Sequence, residues 1–189
     1  MFVFPEGGAI KNVKPLSYRP CVGVMLLNAE GLVFVGRRKS DSSVPPGSPY
    51  AWQMPQGGID SGEAPYYAAL RELYEETNVR SIRLLAESDE WYSYDLPEEM
   101  VSGWRRPRWR FKGQIQRWFA FRFEGRESEI NIRTPANGKH RPEFDEWRWE
   151  RMERLPELII PFKRDVYEQV VKEFGHLAEE VRLRTHNGS

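Results

Sequence analysis

The chain has 189 residues, enough for one domain with a buried core. Its 28 basic and 28 acidic side chains cancel, so no global field draws it to nucleic acid or to a membrane surface, and any such affinity has to come from a local patch. The single cysteine, Cys21, excludes a disulfide framework within the chain and fits a reducing compartment.

Residues 1–17 are rich in Gly, Pro and Lys and read as a loosely ordered arm. They lack the basic segment and apolar run of a secretory leader, and no apolar stretch reaches membrane-spanning length, so a cytoplasmic protein without a membrane partner is expected. PCVGVMLLN and LVFVGRR are β-type runs on either side of the turn signal NAEG, and they read as a hairpin. Cys21 lies inside the first run as a buried, inert thiol. KSDSSVPPGSPY is a Ser/Pro loop, and AWQMPQGG is a short extended piece entering a Gly-Gly turn.

From Ala64 to Thr77 the period becomes helical. Tyr66, Leu70, Leu73 and Thr77 form one stripe toward the core, and Pro65 sits in the first turn, where its missing N–H costs least. SIRLLAESDEWYSYDL reads as strand pieces, QIQRWFAFRF as an aromatic strand and EFDEWRWE as another short strand. PFKRDVYEQVVKEFGHL is a second helix with the stripe Phe162, Val166, Val170 and Phe174 and with Pro161 at its entrance. Residues 179–189 read as a tail. Strands mixed with two separated helices point to a mixed sheet with helices packed on it.

The first helix carries an electrostatic oddity. In RELYEETNV, Glu72, Glu75 and Glu76 span an arc of about 100° on a helix of 3.6 residues per turn, and like charges at that spacing repel. The arc is expected to face away from the stripe, and the plain reading is a solvated acidic face. Three features oppose it. The acids are not interleaved with lysines, they sit at the helix end disfavoured by its dipole, and the glycine-rich turn PQGGIDSGE comes just before them. Crowded hard oxygen donors of this kind suit Mg²⁺ or Mn²⁺.

GGIDSGEAPYYAALRELYEETNV resembles the Nudix box: Gly57, Glu63, Arg71, Glu72, Leu73, Glu75, Glu76 and Val79 fall in place, and Asn78 replaces the final glycine. YRPCVGVMLLN, WQMPQGG, PEFDEWRW and FKRDVY extend the likeness, from about Tyr18 to Phe174, toward the bacterial RNA pyrophosphohydrolases and related dinucleoside polyphosphate hydrolases. The resemblance implies an α/β Nudix fold over residues 18–178, a mixed sheet between helices. It implies that Glu72, Glu75, Glu76, Glu143 and the Gly57 carbonyl hold more than one Mg²⁺ or Mn²⁺ ion. Glu72, Glu76 and Glu143 are the candidate catalytic groups, and Glu63 and Arg71 pair to orient the helix.

On the substrate side the resemblance points to Arg19, Arg38, Gln56, Phe162 and Lys163, although Phe162 also lies on the helix stripe and Gln56 can serve only to shape its turn. GWRRPRWRFKGQIQRW places Arg105, Arg106, Arg108 and Lys112 among Trp104, Trp109 and Phe111, the composition of a single-strand RNA groove or of a solvated loop feeding a buried strand. His140, His176 and His186 show no paired metal-ligand spacing and read as surface residues. The expected activity is removal of pyrophosphate from a triphosphorylated RNA 5′ end. The alternatives are hydrolysis of a dinucleoside polyphosphate or a non-catalytic nucleotide- or RNA-binding domain. A monomer with a stimulatory protein partner completes the expectation.

Overall fold

The computed structural model describes residues 17–39, 48–101 and 111–186. Eight strands form one mixed sheet: β1 (Ser17–Leu27), β2 (Val33–Arg38), β3 (Trp52–Gln53), β4 (Gln56–Gly58), β5 (Ile82–Glu87), β6 (Tyr92–Asp95), β7 (Phe111–Phe123) and β8 (Phe144–Glu150). The path runs β3-β2-β1-β7-β5, with β4 on β1, β6 on β7 and β8 on β2. Its spine is the parallel pairing of β1 with β7, from Ser17 opposite Phe111 to Leu27 opposite Arg122.

Alternation along these two strands separates two cores. Val22, Val24 and Leu26 with Phe119, Phe121 and Phe123 face helix α1 (Pro65–Thr77). Met25, Leu27, Trp118 and Ala120 face helix α4 (Arg164–His186). The continuous apolar run in β1 is therefore that of a strand covered on both sides. Among the described residues there are also two short α-helices, α2 (Glu98–Val101) and α3 (Leu155–Leu158).

The expected hairpin exists only at its base. β1 and β2 pair through Leu27 and Val33, after which β1 goes to β7 and β4 while β2 goes to β8. Local turn chemistry specified the reversal, but burial of both faces of β1 selected its partners.

The expected stripe on α1 is also revised. Leu73 and Thr77 are fully buried, but Leu70 is half-buried and Tyr66 is 36% exposed, lying edge-on to Phe119; Ala68 and Ala69 take the central positions instead. Small residues let the helix approach the sheet closely, which turns part of the glutamate arc inward. In α4, Val166, Val170 and Phe174 are buried as expected. Phe162 belongs instead to a 3-10 turn, Pro161–Lys163, ahead of the helix. The helix runs on through His186 with Val181 buried, so residues 179–186 continue it rather than forming a tail.

Candidate active site

The glycine turn and α1 are locked together before any chemistry is considered. Arg71 donates two hydrogen bonds to Glu63, at 2.9 and 2.8 Å, and one to the Gly58 carbonyl at 2.8 Å. Glu63 also accepts from the Asp60 amide. Its paired guanidinium holds the Glu63 carboxyl down at about 2. Gly57 is required by contact: a Cβ there would overlap the Glu72 carboxyl. At the other end Asn78 adopts φ 67°, ψ 2°, and its N–H returns to the Tyr74 carbonyl at 2.8 Å. That is the left-handed helix stop expected where the box has glycine.

The glutamates do not form a solvated face. Glu76 is 5% exposed, and Glu72 and Glu75 are half-buried. The expectation that the arc faces away from the core is thus corrected, because α1 rests on β4 through this side. Each acid is taken up by a donor from the chain. Arg71 bridges Glu72 at 2.8 Å and Glu75 at 3.2 Å. His140 Nε2 lies 3.4 Å from the other oxygen of Glu75. Arg38 Nε lies 3.5 Å from Glu143. The Gln56 amide donates to Glu76 Oε2 at 3.3 Å.

One oxygen stands apart. Glu76 Oε1 is buried with no hydrogen-bond partner. Burial first, then the charges of Glu143 and Glu72 and a hydrogen bond shared with the Glu143 side chain when Glu76 carries a proton, push the Glu76 carboxyl well above the ordinary carboxylate range. Glu72 is also raised, chiefly by burial, with Arg71 opposing. Among the described residues no three acidic, imidazole or thiol side chains already stand in a coordinating arrangement. A buried carboxylate oxygen close to the charges of Glu143 and Glu72 is nevertheless a donor set that a hard divalent cation fits.

A basic and aromatic cluster adjoins the acids on the α4 side of the sheet. Lys163 is buried, lies 5.4 Å from the centre of the Tyr94 ring, and is pushed down to about 8 by burial and then by Arg38. Phe162 packs against Tyr94 with ring centres 5.6 Å apart, at the edge of the core. The Arg19 guanidinium lies against Gly58, where a Cβ would meet it. A chain of amides forms a buried polar seam: Gln116 donates to Gln56 at 3.2 Å, and Gln56 donates to Gln53 at 3.3 Å.

The structure thus gathers Glu72, Glu75, Glu76 and Glu143 around one helix face, with Arg38 and Lys163 between them and the rings of Tyr94 and Phe162. Tyr94, Gln53, Gln116 and His140 are not marked out by the sequence. The first three carry no motif and converge only through strand pairing. His140 reads as a surface residue from spacing, because its approach to Glu75 depends on a turn that spacing does not reveal. Of the basic stretch, Arg105, Arg106 and Arg108 lie outside the described residues. Lys112 sits exposed over the Tyr18 ring, 4.3 Å from its centre, where β7 begins beside β1 and β6.

The model of the NUDIX domain matches residues 17–170 of this chain. A curated RNA pyrophosphohydrolase of Agrobacterium fabrum (strain C58 / ATCC 33970) is 60% identical over 168 residues, covering 88% of this chain and 97% of that one. Another, of Mesorhizobium japonicum, is 57% identical over 164 residues, covering 86% and 93%. Among solved structures, the E. coli dihydroneopterin triphosphate pyrophosphohydrolase aligns with TM-score 0.55 at 16% identity, covering 81% and 96%. A C. elegans Ap4A hydrolase in a binary complex aligns with TM-score 0.53 at 12% identity, covering 82% and 98%. At these identities the structural likeness speaks for the fold.

Proposed function

This chain belongs to the NUDIX-domain family, and on that premise we propose that it removes pyrophosphate from the 5′ end of triphosphorylated RNA, leaving a 5′-monophosphate. Nudix hydrolases need divalent metal, and we assign that role here to Mg²⁺ or Mn²⁺, more than one ion, held by Glu72, Glu75, Glu76, Glu143 and the Gly57 carbonyl. The observation that carries the reading is Glu76 Oε1, buried and accepting no hydrogen bond, near the cluster of Lys163, Tyr94 and Phe162. It is supported by the 60% identity to an RNA pyrophosphohydrolase over nearly the whole of that protein.

A divalent cation neutralises phosphate charge and lowers the pKa of water. The chain's own residues supply the rest. Arg38, Lys163 and Arg19 hold the phosphate oxygens and orient the anhydride for in-line attack. Phe162, partly exposed and backed by Tyr94, offers a ring to a base. Glu143, whose side chain is 39% exposed beside Arg38, is the acid that water reaches most readily, and we assign it the proton of the attacking water. Glu63 and Arg71 hold the helix in register and do no chemistry.

An RNA substrate places the activity in the cytoplasm. Among the described residues no helix is long and apolar enough to cross a membrane. A dinucleoside polyphosphate offers the same anhydride and a base for the same ring, and it is the second reading. Kinetics on 5′-triphosphorylated short RNA and on diadenosine tetraphosphate, each with Mg²⁺, separate the readings. We expect the higher kcat/KM on RNA. The order reverses if the second reading is right, and RNA binding without cleavage of either substrate would leave only a binding domain.

A further inference from the structure

One contact of the acid cluster lies outside the Nudix motif and the substrate-side arginines: His140 against Glu75. Between Thr134 and His140 the chain makes an unusual turn. Ala136, Asn137 and Gly138 have φ of 50°, 57° and 79°, three successive left-handed residues of which two carry side chains. Non-glycine residues avoid this region because Cβ crowds the following carbonyl, so their surroundings must impose the path. They do so from α1: Pro135 and Ala136 are buried, and Asn137 donates to the Tyr74 hydroxyl at 3.3 Å, one residue before Glu75. The turn throws the chain back so that the His140 ring meets the glutamate.

The geometry of that meeting is specific. Glu75 Oε2 is taken by Arg71, while Oε1 faces His140 Nε2 at 3.4 Å. That is longer than a good N–H···O hydrogen bond of about 2.7–3.2 Å. Two adjacent ligands of one octahedral ion, each about 2.1–2.2 Å from it, stand about 3 Å apart, so a cation fits between these atoms with little movement. The His140 side chain is half open to water, as an entering ion requires. We propose that His140 is a nitrogen ligand, paired with Glu75, for the outermost divalent ion of the site, and that it biases that position toward Mn²⁺ over Mg²⁺. Imidazole favours transition metals, whereas carboxylate and water serve Mg²⁺ equally well.

The inference rests on the metal-site reading above, and the test separates the two. Protein carrying ¹⁵N only in histidine is loaded with Mn²⁺ and examined by pulsed electron paramagnetic resonance, with binding counted by titration. A histidine nitrogen coupling in the wild type that disappears in His140→Ala is the expected result. Mn²⁺ affinity at the weaker position should fall about tenfold or more while Mg²⁺ affinity changes little. His140→Asp should bind both ions without the nitrogen coupling, which guards against a merely misfolded loop. Mn²⁺ bound with no histidine coupling, or with a coupling that survives in His140→Ala, would overturn the assignment and leave the metal site standing. A wild-type protein that binds no Mn²⁺ would overturn both.

Discussion

Glu76 shows how a residue that weakens the fold can serve the site. Its carboxyl is buried, one oxygen has no partner, and neighbouring carboxylates raise its proton affinity. Replacing it with an amide of the same shape relieves that cost. Glu76→Gln should therefore melt about 2–6 °C above the wild type when both lack metal, while turnover falls by about 100-fold or more. Thermal melts and kinetics with Mg²⁺ check both halves, and near-wild-type turnover would remove Glu76 from the site. Glu63 is the opposite case. Arg71 holds its carboxyl down at about 2, so the pair stabilises the fold above the ordinary carboxylate range and loses that contribution as pH falls toward 2. Glu63→Gln should lower Tm at pH 7, and the gap should close on acidification. A gap constant with pH would mean that the loss is one of packing and not of charge. Asn78 holds the helix stop at φ 67°. Asn78→Ala should cost about 1 kcal/mol and Asn78→Gly should cost nothing or stabilise, both read by denaturant titration.

At the scale of elements, the site is a junction. In the proposed site β4 and its turn would supply Gly57, α1 three acids, the approach to β8 Glu143, and the turn before α4 Phe162 and Lys163. A core change in α4 therefore acts on stability, while a change in its entry turn acts on substrate. Phe174→Ala, in the buried stripe, should cost about 3–5 kcal/mol. Lys163→Met keeps the volume and removes the buried cation, so it should raise KM and lower kcat/KM on triphosphorylated RNA with little loss of Tm. A KM unchanged within twofold would return Lys163 to a purely structural place. The period of α1 was legible in its sequence, but its buried face was not, because Ala68 and Ala69 carry little hydrophobic signal and decide the packing by being small. The α4 pattern was legible because its stripe is built from large apolar residues whose burial dominates the energy.

For the whole molecule, charge balance has a local meaning. A neutral chain has no long-range attraction for RNA, so affinity must be concentrated where cations cluster. Arg105, Arg106 and Arg108 precede Lys112, which enters β7 at the end of the sheet that also holds Arg19 and Tyr94. Alanine at all three arginines should weaken binding of a short 5′-triphosphorylated RNA and flatten its dependence on salt, in proportion to the number of phosphates left without a cation. An unchanged slope would make the stretch a solvated loop.

The amino-acid sequence alone determined helix α1 and its glycine turn, since these are local and their physics is a matter of spacing, while the Glu63–Arg71 pairing followed from the resemblance to the Nudix box. It also exposed the excess of carboxylates, because unbalanced charge needs no coordinates to be seen. Tertiary structure decided which way that charge faces, the partners of β1, and the convergence of Tyr94, Gln53, Gln116 and His140 from separate elements. Those outcomes depend on which apolar faces can be buried together. That is a property of the whole sheet and its two helices, and no single stretch of chain contains it.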